Sequence, residues 1–264
     1  MILALCGTSE GRELLGVLAG EYPAILATVT TPYGVECLGD YPTVEVLQTK
    51  LQQEEFEKLI EERQIQVVVD ISHPYAEKIS TLAINVCREK KIHYLRYERR
   101  TTEQLQEDPN ILWVEDFPEA VQLAKGFVGR IFLTIGSNHL TTFVKEIPKE
   151  RLLARVLPVS KVLLSCEELG LNPDNIIAMK GPFSEEMNRA MFAMQDVSVV
   201  VTKDSGGAGG TLDKLRAAKA VGIPVIVIKR PAVDYGEVYY DLKELMNTLK
   251  ILKEEKVSMK LDNV

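Results

Sequence analysis

Residues 197–211, Val-Ser-Val-Val-Val-Thr-Lys-Asp-Ser-Gly-Gly-Ala-Gly-Gly-Thr, carry a β-branched run that ends in Lys203, Asp204 and Ser205. Four glycines follow before a helical pattern opens at Thr211. The pattern is strand, loop, helix. Glycine takes positive φ and has no Cβ, so consecutive N–H groups in such a loop can turn inward onto an anion. Lys203 then stands at the carboxyl end of a strand, where ligands sit in open parallel α/β sheets. The plainer alternative is a flexible connection, but four glycines exceed what a short βα connection needs.

The same alternation runs through the chain. Ile2 to Leu5 is a buried-strand candidate, followed by Cys6-Gly7-Thr8-Ser9-Glu10-Gly11-Arg12 and a helical run from Glu13 to Ala19. The glycines have G-x-x-x-G spacing, not the dinucleotide G-x-G-x-x-G. Their place in the first βα turn still offers a pyrophosphate the unpaired N–H donors and positive end of a helix. Thr8 or Ser9 is equally fitted to cap that helix, with Glu10 or Glu13 nearby, and the two roles are compatible.

A second strand, Ile25 to Thr30, ends in Thr30-Thr31-Pro32-Tyr33-Gly34. An NAD site places an acidic residue here for the ribose 2′-hydroxyl. Threonines leave room for a 2′-phosphate, so NADP is favoured over NAD, although no arginine adjoins them. Val44 to Leu47 is a short strand and Glu54 to Arg63 an amphipathic helix. Val67 to Ile71 is another buried strand, running into Ser72-His73-Pro74-Tyr75. His73 has two readings: an imidazole at a strand end facing a ligand, or a turn residue fixed by Pro74. A helix from Ala76 to Lys90 and a strand from His93 to Tyr97 complete the first half.

Glu98 to Asn110 is polar, has no apolar period, and is the best linker. Beyond it, strands are expected at Ile111–Val114, Arg130–Thr134, Leu152–Val156, Ile176–Met179, Val197–Thr202 and Pro224–Ile228. A helix is expected near Glu119 to Lys125, and another from Thr211 that Gly222 closes. Tyr239 to Lys253 is expected to be an amphipathic helix. Tyr239 and Lys243 have the Y-x-x-x-K spacing of short-chain dehydrogenases, but they lie outside any βαβ unit and are treated as surface residues.

Hydrophobic residues make up 46% and charged residues 26%, the composition of a folded domain or pair of domains. The net charge of -7 argues against nucleic acid, which requires a broad basic surface. Cys6, Cys37, Cys87 and Cys166 show no CxxC spacing, and His73, His93 and His139 are far apart, so no metal site is expected. The opening apolar run is too short for a secretory signal and no run approaches a membrane span, which places the chain in the cytoplasm with reduced thiols.

Five turns, in order, resemble those of the precorrin-6A reductases of cobalamin biosynthesis: Gly7-Thr8-Ser9-Glu10-Gly11-Arg12, Ser72-His73-Pro74-Tyr75-Ala76, Thr134-Ile135-Gly136-Ser137, Gly181-Pro182-Phe183-Ser184 and Thr202-Lys203-Asp204-Ser205-Gly206-Gly207. The similarity extends to about Pro231. It implies an α/β chain of two Rossmann-like domains with mainly parallel sheets and a ligand cleft between them. Residues 1–98 are then the dinucleotide-binding domain and 99–264 the substrate domain. The reaction implied is NADPH-dependent reduction of a double bond in precorrin-6A, or its cobalt complex, to precorrin-6B.

On this resemblance the cofactor, NADPH rather than NADH, meets Gly7, Thr8, Ser9, Glu10, Gly11, Thr30, Thr31, Ser72 and His73. The tetrapyrrole, a flat ring edged with carboxylates, meets Arg12, Ser137, Lys180, Lys203, Asp204, Ser205, Gly206 and Gly207. His73, Tyr75, Lys203 and water remain open as the proton donor. At Cys6 the family more often has glycine, so a side chain there is expected to narrow the approach of the pyrophosphate. A reductase of another polycarboxylate and a dinucleotide-sensing module without turnover are the alternatives. Mixing protein, NADPH and precorrin-6A separates them.

Overall fold

The structure is a computed structural model that describes residues 1–98, 108–206 and 209–261. The expected linker, Glu98 to Asn110, falls mostly outside the described residues. The chain forms two compact units, Met1–Arg99 with Ala232–Val264, and Arg100–Pro231.

The first unit runs β1 (Ile2–Cys6), α1 (Ser9–Glu21), β2 (Ile25–Val29), α2 (Pro32–Leu38), β3 (Val44–Gln48), α3 (Gln53–Glu62), β4 (Val67–Ile71), α4 (Glu77–Lys90) and β5 (His93–Tyr97). The second runs β6 (Ile111–Val114), α5 (Phe117–Lys125), β7 (Arg130–Leu133), α6 (Leu140–Val144), β8 (Leu152–Val156), α7 (Ser160–Glu168), β9 (Ile176–Ala178), α8 (Glu185–Met194), β10 (Val197–Lys203), α9 (Thr211–Val221) and β11 (Val225–Ile228). The chain closes with β12 (Val238–Tyr239) and α10 (Leu242–Leu261).

Each unit holds a six-stranded sheet, ordered β12-β5-β4-β1-β2-β3 in the first and β6-β11-β10-β7-β8-β9 in the second. Every pairing is parallel. Parallel strands covered on both faces are continuous apolar runs, and β1, β2 and β4 are buried at every position. The period of two divides β1 between two cores. Ile2, Ala4 and Cys6 pack with Leu14, Leu15 and Leu18 of α1 and Leu245 and Leu249 of α10, while Leu3 and Leu5 pack with Phe56 and Ile60 of α3 and Val86 of α4. In the second unit, Phe132, Leu153, Val200 and Val227 face Met191 and Phe192 of α8 and Leu215 and Ala218 of α9.

Two expectations are corrected, and one helix appears where none was expected. The segment from Tyr239 is not one helix: Val238 and Tyr239 pair with Arg96 and Tyr97 before α10 begins. That pairing and the packing of Leu245 and Leu249 put residues 232–264 with the first unit, where the expected 99–264 domain left them with the second. The Thr-Thr-Pro-Tyr-Gly turn is the start of a helix, because Thr31 Oγ1 accepts the Gly34 N–H at 3.0 Å and Pro32 occupies a first-turn position that needs no donor. Among the described residues, no helix is long and apolar enough to cross a membrane.

Candidate active site

Both sheets reverse their winding direction beside a central strand. In the first unit that point lies between β1 and β4, and in the second between β7 and β10. A crevice opens at the carboxyl ends of such strands and is where ligands bind. Four of the five turns named from sequence leave these strand ends, after β1, β4, β7 and β10, whereas the Gly181–Ser184 turn follows β9 at the edge of the second sheet.

In the first unit the turns after β1 and β4 are in contact. A Cβ on Gly7 would lie 3.1 Å from His73 N and 3.4 Å from Ser72 Cα, so any larger residue would press the turn after β1 against the backbone of the turn after β4. Thr8 caps α1 by accepting the Gly11 N–H at 3.3 Å, and its hydroxyl donates to Ile71 O at 3.2 Å. Ser9 and Glu10 open α1. Cys6 does not narrow the approach to this turn. Its side chain is buried beneath Gly11, where a Cβ would meet Cys6 Cβ and Sγ at 3.6 and 3.7 Å, and burial with the nearby Asp70 charge raises its thiol to about 12. Thr30 and Thr31 are exposed just beyond β2. Arg12 also belongs to this unit, its Nε donating to Cys37 O near the end of α2.

His73 Nδ1 accepts the Tyr75 N–H at 3.2 Å, which leaves Nε2 as the protonated nitrogen of the neutral ring. The two rings are tilted neighbours, with centroids 5.6 Å apart. Behind them lies a buried ionic network the sequence reading missed. Asp70 and Arg96, paired across β4 and β5, are both fully buried and meet at 2.8 Å. Asp70 also accepts from Ser72 N at 2.9 Å, Ser80 Oγ at 2.6 Å and Tyr94 OH at 2.7 Å. Arg96 donates to Ser72 Oγ at 3.1 Å and to Glu98 at 2.8 Å, and stacks over Tyr235 at 4.7 Å. Burial works to lower the Arg96 pKa, but Asp70 and Glu98 outweigh it and leave it raised. Burial and the Asp70 charge likewise raise Tyr94. This network holds the Ser72–His73 turn from beneath. A lone Asp in Val-Val-Val-Asp-Ile and a lone Arg in His-Tyr-Leu-Arg-Tyr were its sequence signal.

In the second unit, Ser137 follows β7 and Lys203 ends β10, so neighbouring strands carry them to the same reversal point. Lys180 is apart from them, exposed beyond β9. The glycine loop is shaped as its composition requires: Gly206 and Gly210 have φ of +71° and +68°, and a Cβ on Gly209 would fall 2.3 Å from Ser205 Cβ. Gly207 lies outside the described residues. The expectation of a row of open amides is corrected at two positions. Ser205 N–H points to Thr211 Oγ1 at 3.1 Å, and Gly206 N–H to Asp204 Oδ1 at 3.3 Å. The loop's own anion is the buried Asp204 carboxylate, which also lies 3.5 Å from Arg230 Nε.

Desolvation lowers Lys203 to about 8. His139, stacked on Phe117 at 3.7 Å, is lowered by burial and by the Lys203 charge. Two further buried cations were not anticipated: Arg155 on β8, lowered to about 10 by burial, and Lys214 on α9, lowered to about 7 by burial and by Arg155 and Lys203.

Two parallel, doubly wound sheets with ligand-type turns at their reversal points define a two-unit Rossmann-like α/β protein. A CobK precorrin-6A reductase of known structure shares this fold, with a TM-score of 0.76 at 23% identity, covering 95% of this chain and 96% of that one. The family model Precorrin-6x reductase CbiJ/CobK matches residues 1–250. The cobalt-precorrin-6A reductase of Priestia megaterium is 37% identical over 253 residues, 94% of this chain and 98% of the relative. That of Methanocaldococcus jannaschii is 37% identical over 230 residues, 87% and 89% of the two chains. The chain belongs to the precorrin-6x reductase family and is an oxidoreductase of cobalamin biosynthesis.

Proposed function

We propose that the protein reduces one double bond of the precorrin-6A macrocycle with NADPH, the first unit holding the dinucleotide and the second the macrocycle. The observation that carries this reading is the contact of Gly7 with the Ser72–His73 backbone at the reversal point of the first sheet. A Cβ would fill that space, and α1 presents its N-terminal end there to a pyrophosphate. Thr30 and Thr31 put no carboxylate where an NAD enzyme has one, so NADPH is bound in preference to NADH. NADPH supplies the hydride when bound.

The residues divide the remaining work. His73 has its Nδ1 engaged by the Tyr75 amide, so the neutral ring carries its proton on Nε2. Lys203, lowered to about 8, is close enough to neutrality to give up a proton to the ring carbon next to the one reduced, and is the proton donor in this reading. Ser137 lines the same strand ends. The cobalt-containing macrocycle is the proposed form, since the relatives from Priestia megaterium and Methanocaldococcus jannaschii are cobalt-precorrin-6A reductases.

The test is direct. Purified protein is mixed with NADPH and either precorrin-6A or its cobalt complex, and both absorbance spectra are followed. The reading requires NADPH oxidation in step with bleaching of the macrocycle, faster with the cobalt form. Dinucleotide binding without turnover of either macrocycle overturns it.

A further inference from the structure

Asp70 stands in an otherwise apolar β4, and its partner Arg96 is fully buried on β5. Taking two charges out of water costs most or all of what their attraction returns, and apolar residues of the same volume often serve stability as well. Arg96 carries a further penalty. Among the described residues its Nε has no acceptor, and a buried donor left without one is unfavourable. A pair kept on such terms is explained by the groups it holds in place.

Those groups converge on one turn. Asp70 Oδ1 accepts the Ser72 N–H at 2.9 Å, a side chain bonded to the backbone two residues on, which is how aspartate shapes a turn. The same oxygen meets Arg96 Nη1 at 2.8 Å, and Nη1 also donates to Ser72 Oγ at 3.1 Å. Asp70 Oδ2 accepts from Ser80 Oγ of α4 at 2.6 Å, so one carboxylate ties down both ends of the connection between β4 and α4. Glu98 holds Nη2 at 2.8 Å, and Tyr235 lies against the guanidinium at 4.7 Å. Ser72 is only 6% exposed, and its Oγ is occupied by Arg96 and by Ser80 Oγ at 3.3 Å. Its hydroxyl is therefore directed into the protein. What the turn offers Gly7 is backbone: Ser72 Cα and His73 N lie within 3.4 Å of where a Gly7 Cβ would stand.

We propose that Asp70 and Arg96 are positioning residues for the dinucleotide, Arg96 acting through Ser72 Oγ to set the Ser72–His73 backbone against Gly7. This rests on the reading that the first unit holds NADPH. Arginine is required because its planar fork engages Asp70, Ser72 and Glu98 at once, an arrangement that the point charge of a lysine does not reproduce.

The experiment measures NADPH dissociation constants by fluorescence titration, and urea unfolding without ligand, for the parent, Ser72→Ala, Arg96→Lys and the double variant. Ser72→Ala deletes one hydroxyl while Arg96 Nη1 and Ser80 Oγ both keep Asp70, so its urea midpoint should stay close to that of the parent. Arg96→Lys keeps the charge that balances Asp70. Each single variant should bind NADPH about tenfold more weakly, as loss of a hydrogen bond to a charged group requires. The double variant should bind no more weakly than Arg96→Lys alone, because both substitutions cut the same link.

Parent-like NADPH affinity in either single variant overturns the inference; in Arg96→Lys it would mean that charge balance alone is needed. Losses that multiply in the double variant overturn it too, since the Ser72 hydroxyl would then meet the dinucleotide directly. A Ser72→Ala midpoint far below that of the parent assigns the link to stability and has the same effect. Should Arg96→Lys not fold, Asp70→Asn with Arg96→Met, which removes both fully buried charges, takes its place in the cycle and must meet the same two affinity requirements. Failure of the parent itself to bind NADPH overturns the functional reading, and the inference with it.

Discussion

At the scale of single residues, burial sets the charge of two lysines in the second unit. Burial lowers Lys203 to about 8 and Lys214 to about 7, against the ordinary 10.5. A base whose folded pKa is depressed weakens the folded state wherever it is charged, so the penalty is fully present below the folded pKa. It is relieved as pH rises from there towards the unfolded value, because the unfolded chain then binds the extra proton. Ligand-free protein should gain stability between pH 7 and about 9, each such lysine adding about 1.4 kcal/mol per pH unit at most. Above that range Cys6 and Cys87, both raised to about 12, act in the opposite direction. Urea midpoints at pH 7, 8 and 9 give the slope, and Lys214→Met should flatten it by close to one proton; an unchanged slope would mean that Lys214 titrates normally. Lys203→Met belongs beside it. It should lower macrocycle affinity about tenfold, as a lost charge-assisted contact of 1–3 kcal/mol requires, and leave NADPH binding as it was. The converse result, loss of NADPH binding alone, would reverse the assignment of the two units. The place of Lys203 at the carboxyl end of a strand was legible because a β-branched run ends there just before a glycine-rich loop, and it is the last residue of β10. Lys214 was not, since a lysine in Thr-Leu-Asp-Lys-Leu-Arg reads as the solvent side of a helix until the packing of α8 against α9 is seen.

At the scale of elements, the turns are held by what lies under them. Gly7 and the Ser72–His73 turn meet because β1 and β4 are neighbours in register, Cys6 opposite Ile71. The turn after β4 is in turn pinned by Asp70 and Arg96. Replacing Arg96 with Met strands a carboxylate that is fully buried, a loss of about 3–5 kcal/mol for a broken buried pair. Ser72 N, Ser80 and Tyr94 still donate to that carboxylate, so the lower end of the range is expected. The double variant Asp70→Asn with Arg96→Met should recover part of it. Urea unfolding of the three variants measures the coupling, and additive losses would show that the pair acts as two separate groups. Gly7→Val tests the turn itself. Dinucleotide affinity should fall much further than the melting temperature, since the added atoms press on backbone at an exposed turn and not on the core. The strands were legible for the reason that parallel sheets are buried on both faces: Ile-Leu-Ala-Leu-Cys and Val-Ile-Val-Ile have no other reading. Helix α2 was hidden because Thr-Thr-Pro-Tyr-Gly satisfies turn chemistry and helix-start chemistry alike.

At the scale of the whole molecule, the two sheets repeat one order, with β1 and β7 central and an edge strand added beyond β5 and β11. The edge strands have different origins. In the second unit it is β6, the first strand of that unit, whereas in the first unit it is β12, supplied after the chain has completed the second. A two-residue edge strand has no periodicity of its own and is defined by its partner, which is why Tyr239 was absorbed into an expected helix. The consequence is that the stability of the first unit depends on the end of the chain. Tyr239, Leu245 and Leu249 are all buried in the core that β1 and α1 share. Ending the chain at Pro231 uncovers the α1 side of β1, β4 and β5 while removing nothing from the second sheet. Loss of three large buried side chains at about 2–5 kcal/mol each is comparable to the whole stability of a domain. Such a truncated chain should therefore lose hydrogen-exchange protection in β1, β4 and β5 at denaturant concentrations where β7 and β10 remain protected. NADPH binding should disappear with the first group. Equal loss of protection in both sheets would show that the units fold as one, and full retention in β1 and β4 would show that β12 and α10 are an appendage and not part of the first core.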